Sequence, residues 1–173
     1  MGTHIDAPAH CSPNGICVNE IPLQDLLSPC VVIDVSKSAH AKYTVSINDV
    51  KTFEQKYGLI NSGSFVMIRT GWEQYWSTPK QYHNNHLFPS VSKDAAEYLL
   101  QRVVKGIGID TLSPDRPEDG YPVHKIFLGA GKYIIENVAN LKSLPIIGSF
   151  IFALPLKTKG GTEAPIRLIG LIN

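Results

Sequence analysis

Apolar residues recur along this chain in two rhythms. Short β-branched and aromatic runs bounded by turn formers predict buried strands at Val31 to Val35, Ser64 to Thr70, Ile107 to Thr111 and Tyr133 to Glu136. A spacing of three and four predicts helices between them. Ser46 opens one, with Val50, Phe53 and Tyr57 on one face and Gly58 at its end. Ser92 opens another, with Ala95, Ala96, Leu99, Leu100 and Val103 as its apolar face and a stop near Gly106. A third, short helix is expected from His124 to Leu128 before the turn Gly129-Ala130-Gly131, and Ile21 to Leu27 reads as one helical turn closed by Ser28-Pro29. Two further strands, Phe150 to Leu156 and Ile166 to Ile172, read as a hairpin through Gly160-Gly161, with Pro165 tolerated at the entrance of the last. Strands and helices alternate while the tail is strand-rich. That order predicts an α/β domain with a central mixed sheet or barrel-like sheet and helices on its outside.

A length of 173 residues suits one domain spanning 1–173, able to bury on the order of 70% of its unfolded surface. Hydrophobic residues at 43% and charged residues at 18% argue against disorder. A net charge of +1 offers no field for nucleic acid or an anionic membrane, so a small-molecule substrate fits better. Cys11, Cys17 and Cys30 form no CxxC pair, which argues for reduced thiols rather than a disulfide framework or a zinc knot. With no run near ~20 apolar residues and no basic-then-apolar leader, a cytoplasmic protein is expected.

Candidate chemistry concentrates in Gly2-Thr3-His4-Ile5-Asp6-Ala7-Pro8-Ala9-His10. If residues 4 to 6 are extended, His4 and Asp6 leave the backbone on one face and can address one ion. Pro8 keeps the following segment out of a helix and carries His10 close by without forcing it into the same coordination sphere. A nitrogen and oxygen donor set suits zinc or manganese, and water on such an ion ionises near neutral pH. His10 could then shuttle the proton. By spacing alone, surface or capping groups remain the commoner reading.

Other polar positions stay open. Asp34 reads as a strand-end hydrogen-bonding group or a support for a site, and Asp110 as such a support or as the cap of the next turn. The aromatic stretch Trp72 to Trp76 fits a planar-substrate pocket, a subunit contact or loop packing. His83 and His86 read as loop histidines. Gly129 to Tyr133 lacks the spacing of a phosphate loop. His124 and Glu136 stand too far apart for one element to join them, and Glu136 alone reads as a solvated strand end.

The run Gly-Thr-His-x-Asp-x-Pro-x-His resembles the signature of the metal-dependent cyclase-like hydrolases, which include bacterial-type kynurenine formamidase and isatin hydrolase. Arg69 to Trp72, the stretch Gly-Ile-Asp-Thr-Leu-Ser-Pro-Asp and the segment from His124 to Leu141 resemble further family segments. The resemblance implies a swivelling β/β/α fold and hydrolysis of an aryl formamide such as N-formylkynurenine, or of an isatin-like ring, by metal-activated water. It implies that His4 and Asp6 bind one ion and that Asp6 bridges to a second held by His124 and Glu136. It makes His10 the proton carrier and Thr3 a brace, raises Trp72 as a substrate contact, and implies a homodimer or higher homo-oligomer. The family pattern places one more histidine two positions before Gly2, where this sequence has none; we therefore expect a truncated start. The competing expectation is an impaired homologue that serves in binding or assembly.

Overall fold

The computed structural model describes residues 2–172. The chain begins with strand β1, His4–Asp6, followed by a tight turn at Pro8–His10, and then enters β2, Leu27–Asp34. After β3, Thr44–Val45, come helix α1, Ile47–Tyr57, and strand β4, Phe65–Arg69. Helix α2, Pro79–His83, strand β5, Ser90–Val91, and helix α3, Lys93–Gln101, lead to β6, Gly106–Ile109. Helix α4, Pro122–Gly129, then precedes β7, Tyr133–Glu136, and the chain ends in the hairpin of β8, Ser149–Pro155, and β9, Glu163–Ile172.

Seven strands close into a barrel in the order β1-β7-β6-β4-β2-β8-β9, with β3 and β5 paired separately. The strands β2, β4, β6 and β7 are parallel, and β1, β8 and β9 join antiparallel. Parallel neighbours need long crossovers, and the helices occupy them. This explains why the parallel strands read as unbroken apolar runs: they are covered on both sides. Phe65, Met67, Tyr133 and Ile135 fill the barrel interior, while Val66, Ile68 and Ile134 pack outward against Val50, Phe53, Leu99 and Phe127 of the helices.

Glycine lets the interior fill. A Cβ on Gly106 would lie 2.3 Å from the Tyr133 carbonyl oxygen, and one on Gly108 would lie 2.5 Å from Met67 Sδ. Side chains from β4, Phe65 and Met67, take the volume that β6 leaves free, and the β7 backbone comes close at Gly106.

Ser46 caps α1 reciprocally with Asp49, and Ser92 caps α3, as their positions predict. Several boundaries differ from expectation; β9 starts at Glu163, so Pro165 lies within the strand, opposite His4 of β1, rather than at its entrance. Ser28 and Pro29 belong to β2 rather than closing the turn before it, because Pro29 pairs with Phe150 of β8 ahead of Cys30, where β4 joins. Helix α3 ends at Gln101, so Val103 leaves the apolar face: it adopts a φ of 57° and is exposed, and Gly106 starts β6 instead of stopping the helix. Asp110 and Thr111 lie just past β6. The outer face of the final hairpin is apolar, with Phe150 opposite Leu171 and Phe152 opposite Ile169.

Candidate metal centre

The site forms on the outer wall of the barrel, beneath the first turn of α4. Ile5 packs inward with Ile135, so by the strand alternation His4, Asp6 and Glu136 point the other way. The antiparallel register sets His4 opposite Glu136, which places the end of β1 beside the end of β7. Helix α4 supplies His124 from above. All four side chains are buried.

Their polar atoms converge. His4 Nε2 lies 3.6 Å from Asp6 Oδ1 and 3.5 Å from Glu136 Oε2. His124 Nε2 lies 3.7 Å from Asp6 Oδ2 and 3.2 Å from Glu136 Oε1. Two groups of donor atoms, His4 with Asp6 and Glu136, and Asp6 with His10 and His124, each fall within 4.8 Å of one another and share Asp6. His10 stands at the rim, half-exposed, with its ring centroid 6.1 Å from that of His124 and its Nδ1 3.7 Å from Glu163 Oε2.

Burying two carboxylates carries a desolvation cost that something positive must offset. Asp6 Oδ1 and Glu136 Oε1 are buried and lack an aligned hydrogen bond, although each has an imidazole nitrogen within 4 Å. Burial would lower the pKa of His4, but its contact with Glu136 and the charge of Asp6 outweigh it and raise it to about 9. His124 is pushed up to about 12, because contacts with Asp115, Asp6 and Glu136 overcome burial. Burial would raise Glu136, and the two imidazoles hold it lower instead. Carboxylate oxygens without hydrogen-bond donors, facing imidazole nitrogens, are the donor set that a divalent cation takes.

A family model described as "Putative cyclase" matches residues 1–116. The chain belongs to the cyclase family. It is 30% identical over 187 residues to the isatin hydrolase of Roseibium aggregatum, covering 99% of this chain and 71% of that protein. It is 31% identical over 170 residues to the kynurenine formamidase of Sphingopyxis alaskensis, covering 97% and 74% respectively. The solved structure of isatin hydrolase A from Labrenzia aggregata bound to benzyl benzoate superposes with a TM-score of 0.91 at 33% identity, covering 99% of this chain and 72% of that one. The closed mixed barrel with outer helices is thus the fold of these cyclase-family hydrolases.

Within this cyclase-family chain, Thr3 donates to the Asn137 carbonyl at 2.6 Å, tying the residue before His4 to the residue after Glu136. Asp34 accepts from Ser36 N–H at 2.9 Å and Arg69 Nη1 at 2.6 Å, which is the strand-end role. Asp110 turns back to β4, accepting from the Thr70 N–H and hydroxyl and from Gly71 N–H, so it caps no following turn. Trp72 is buried against Tyr82 and Phe88, and its indole N–H donates to the Tyr82 carbonyl at 2.8 Å. That is packing; Trp76, not Trp72, borders the nearby cavity of about 730 Å³ with Arg69, Asn140 and Lys142. His83 and His86 pair with each other, ring centroids 4.2 Å apart, and belong to neither donor group. Among the described residues, no helix is long and apolar enough to cross a membrane.

Sequence reasoning passed over Asp115. It is buried, and its Oδ2 lies 2.7 Å from His124 Nδ1. The available signals were an acid in a Ser-Pro-Asp turn upstream of a helix start, and its place at the end of the family-like stretch Gly-Ile-Asp-Thr-Leu-Ser-Pro-Asp.

Proposed function

We propose that this chain is a divalent-cation-dependent amidohydrolase acting on an aryl formamide such as N-formylkynurenine or on a cyclic amide of the isatin type. The observation that carries this reading is the convergence of His4, Asp6, His124 and Glu136 with two carboxylate oxygens left without hydrogen bonds. Relatives named isatin hydrolase and kynurenine formamidase support the substrate class. Zinc or manganese suits the mixed donor set.

In this reading His4 and Asp6 would hold one ion, and His124 and Glu136 together with Asp6 would hold a second. Such an ion supplies Lewis acidity and lowers the pKa of its water towards neutrality. The chain's own residues do the rest. His10, at the rim and partly open to solvent, takes a proton from the attacking water and returns it to the leaving nitrogen as the C–N bond breaks. Glu163 steadies its ring from the solvent side. Thr3 keeps β1 in place against the chain beyond Glu136.

The test is metal analysis of the purified protein, paired with hydrolysis assays on isatin and N-formylkynurenine after supply of zinc or manganese. Bound ion with turnover of either substrate is expected. Neither bound ion nor turnover would favour a binding or assembly role for the same fold.

A further inference from the structure

Asp115 sits on the far side of His124 from the converging carboxylates, and a single carboxylate there serves two structures. Helix α4 starts with Tyr121 at its cap position, which offers no side-chain acceptor to the free N–H groups of the first turn. Asp115 reaches in from the preceding loop instead, Oδ1 accepting from Val123 N–H at 3.0 Å and Oδ2 from His124 N–H at 2.9 Å. The same Oδ2 lies 2.7 Å from His124 Nδ1. Ser113 in turn accepts the Asp115 N–H at 3.1 Å, so the backbone that carries the carboxylate is itself held.

A carboxylate ringed by N–H groups acts as acceptor only, so Nδ1 must carry the hydrogen. A neutral His124 then presents its lone pair at Nε2, the atom that faces Glu136 Oε1 and Asp6 Oδ2. We propose that Asp115 is a positioning residue that fixes the tautomer and ring orientation of His124, so that Nε2 is delivered as a donor to the cation site. The inference rests on the proposed cation site. An asparagine at this position cannot serve every donor that the carboxylate does: with its NH₂ beside Nδ1, its oxygen takes only the Val123 N–H, the His124 N–H loses its acceptor, and Nδ1 favours the opposite tautomer, with a hydrogen on Nε2 aimed into the donor cluster.

The experiment compares the full chain with Asp115→Asn for zinc and manganese affinity by titration calorimetry and for thermal unfolding without metal. We expect affinity to fall about 10- to 100-fold, the usual effect of removing a ligand's hydrogen-bond partner, with a modest fall in the unfolding temperature from the helix amide left without its acceptor. In a His124→Ala background, adding Asp115→Asn is expected to change affinity no further. Long-range ¹H–¹⁵N correlations of the zinc-loaded wild-type protein should show His124 protonated at Nδ1, and this measurement decides even if the Asn variant fails to fold. Unchanged affinity in Asp115→Asn, the same loss with and without His124, or a hydrogen on Nε2 would each overturn the proposal. A wild-type chain that binds neither ion fails at the site itself, which separates that failure from this one.

Discussion

His4 and Glu136 face each other as partners across the β1–β7 ladder, with Nε2 and Oε2 3.5 Å apart. A ladder has a side-chain period of two, so slipping this pairing by one residue would turn Ile135 outward and Glu136 into the barrel. Packing of Ile5 and Ile135 in the interior therefore fixes the donor pair as well as the core.

Glu136→Gln keeps the shape and removes one of the charges. Losing one partner of a buried ion pair leaves the other uncompensated, at a cost of about 3–5 kcal/mol. We expect lower stability in the metal-free protein and weaker zinc or manganese binding, read by denaturant unfolding and calorimetry.

His10→Ala separates a proton carrier from a ligand. If His10 moves the proton, turnover falls by about 10²- to 10⁴-fold while bound metal per chain stays the same. Loss of an ion in metal analysis would instead make His10 a donor in the group with Asp6 and His124.

Glu54 governs part of the acid stability, away from the site. It accepts from Ile60 N–H at 3.1 Å, Tyr98 hydroxyl at 2.7 Å and Arg102 Nε at 2.7 Å. Burial would raise its pKa, but Arg102 and the hydrogen bonds bring it below the ordinary value. A folded-state pKa below the unfolded one contributes stability that is present above the unfolded value and lost as pH falls through the folded value. Glu54→Gln should cost about 1–3 kcal/mol at neutral pH. Urea unfolding from neutral pH down to below the ordinary glutamate range of about 4.3 should show the two proteins converging in acid.

Gly106→Ala tests the barrel interior. With a backbone oxygen 2.3 Å from the new Cβ, β6 or β7 must move. We expect overpacking to cost at least about 1–3 kcal/mol, measured by denaturant unfolding. Gly108→Ala should cost less, since its nearest neighbour is the flexible end of Met67.

Much of this protein follows from local pattern. The serine caps of α1 and α3, the apolar runs of the parallel strands and the same-face placement of His4 and Asp6 all depend on neighbours a few residues apart, where backbone period dictates side-chain direction. Other features needed the folded chain. His124 and Glu136 meet only because α4 crosses over β7, and Asp115 finds His124 only because a loop end and a helix start are packed together. Val103 carries an apolar residue's signal yet lies outside the core, since the helix it would extend stops at Gln101. Period and capping are encoded over one or two turns of chain. Strand register and helix docking are chosen by which whole faces bury best against each other, and no short stretch of sequence contains that comparison.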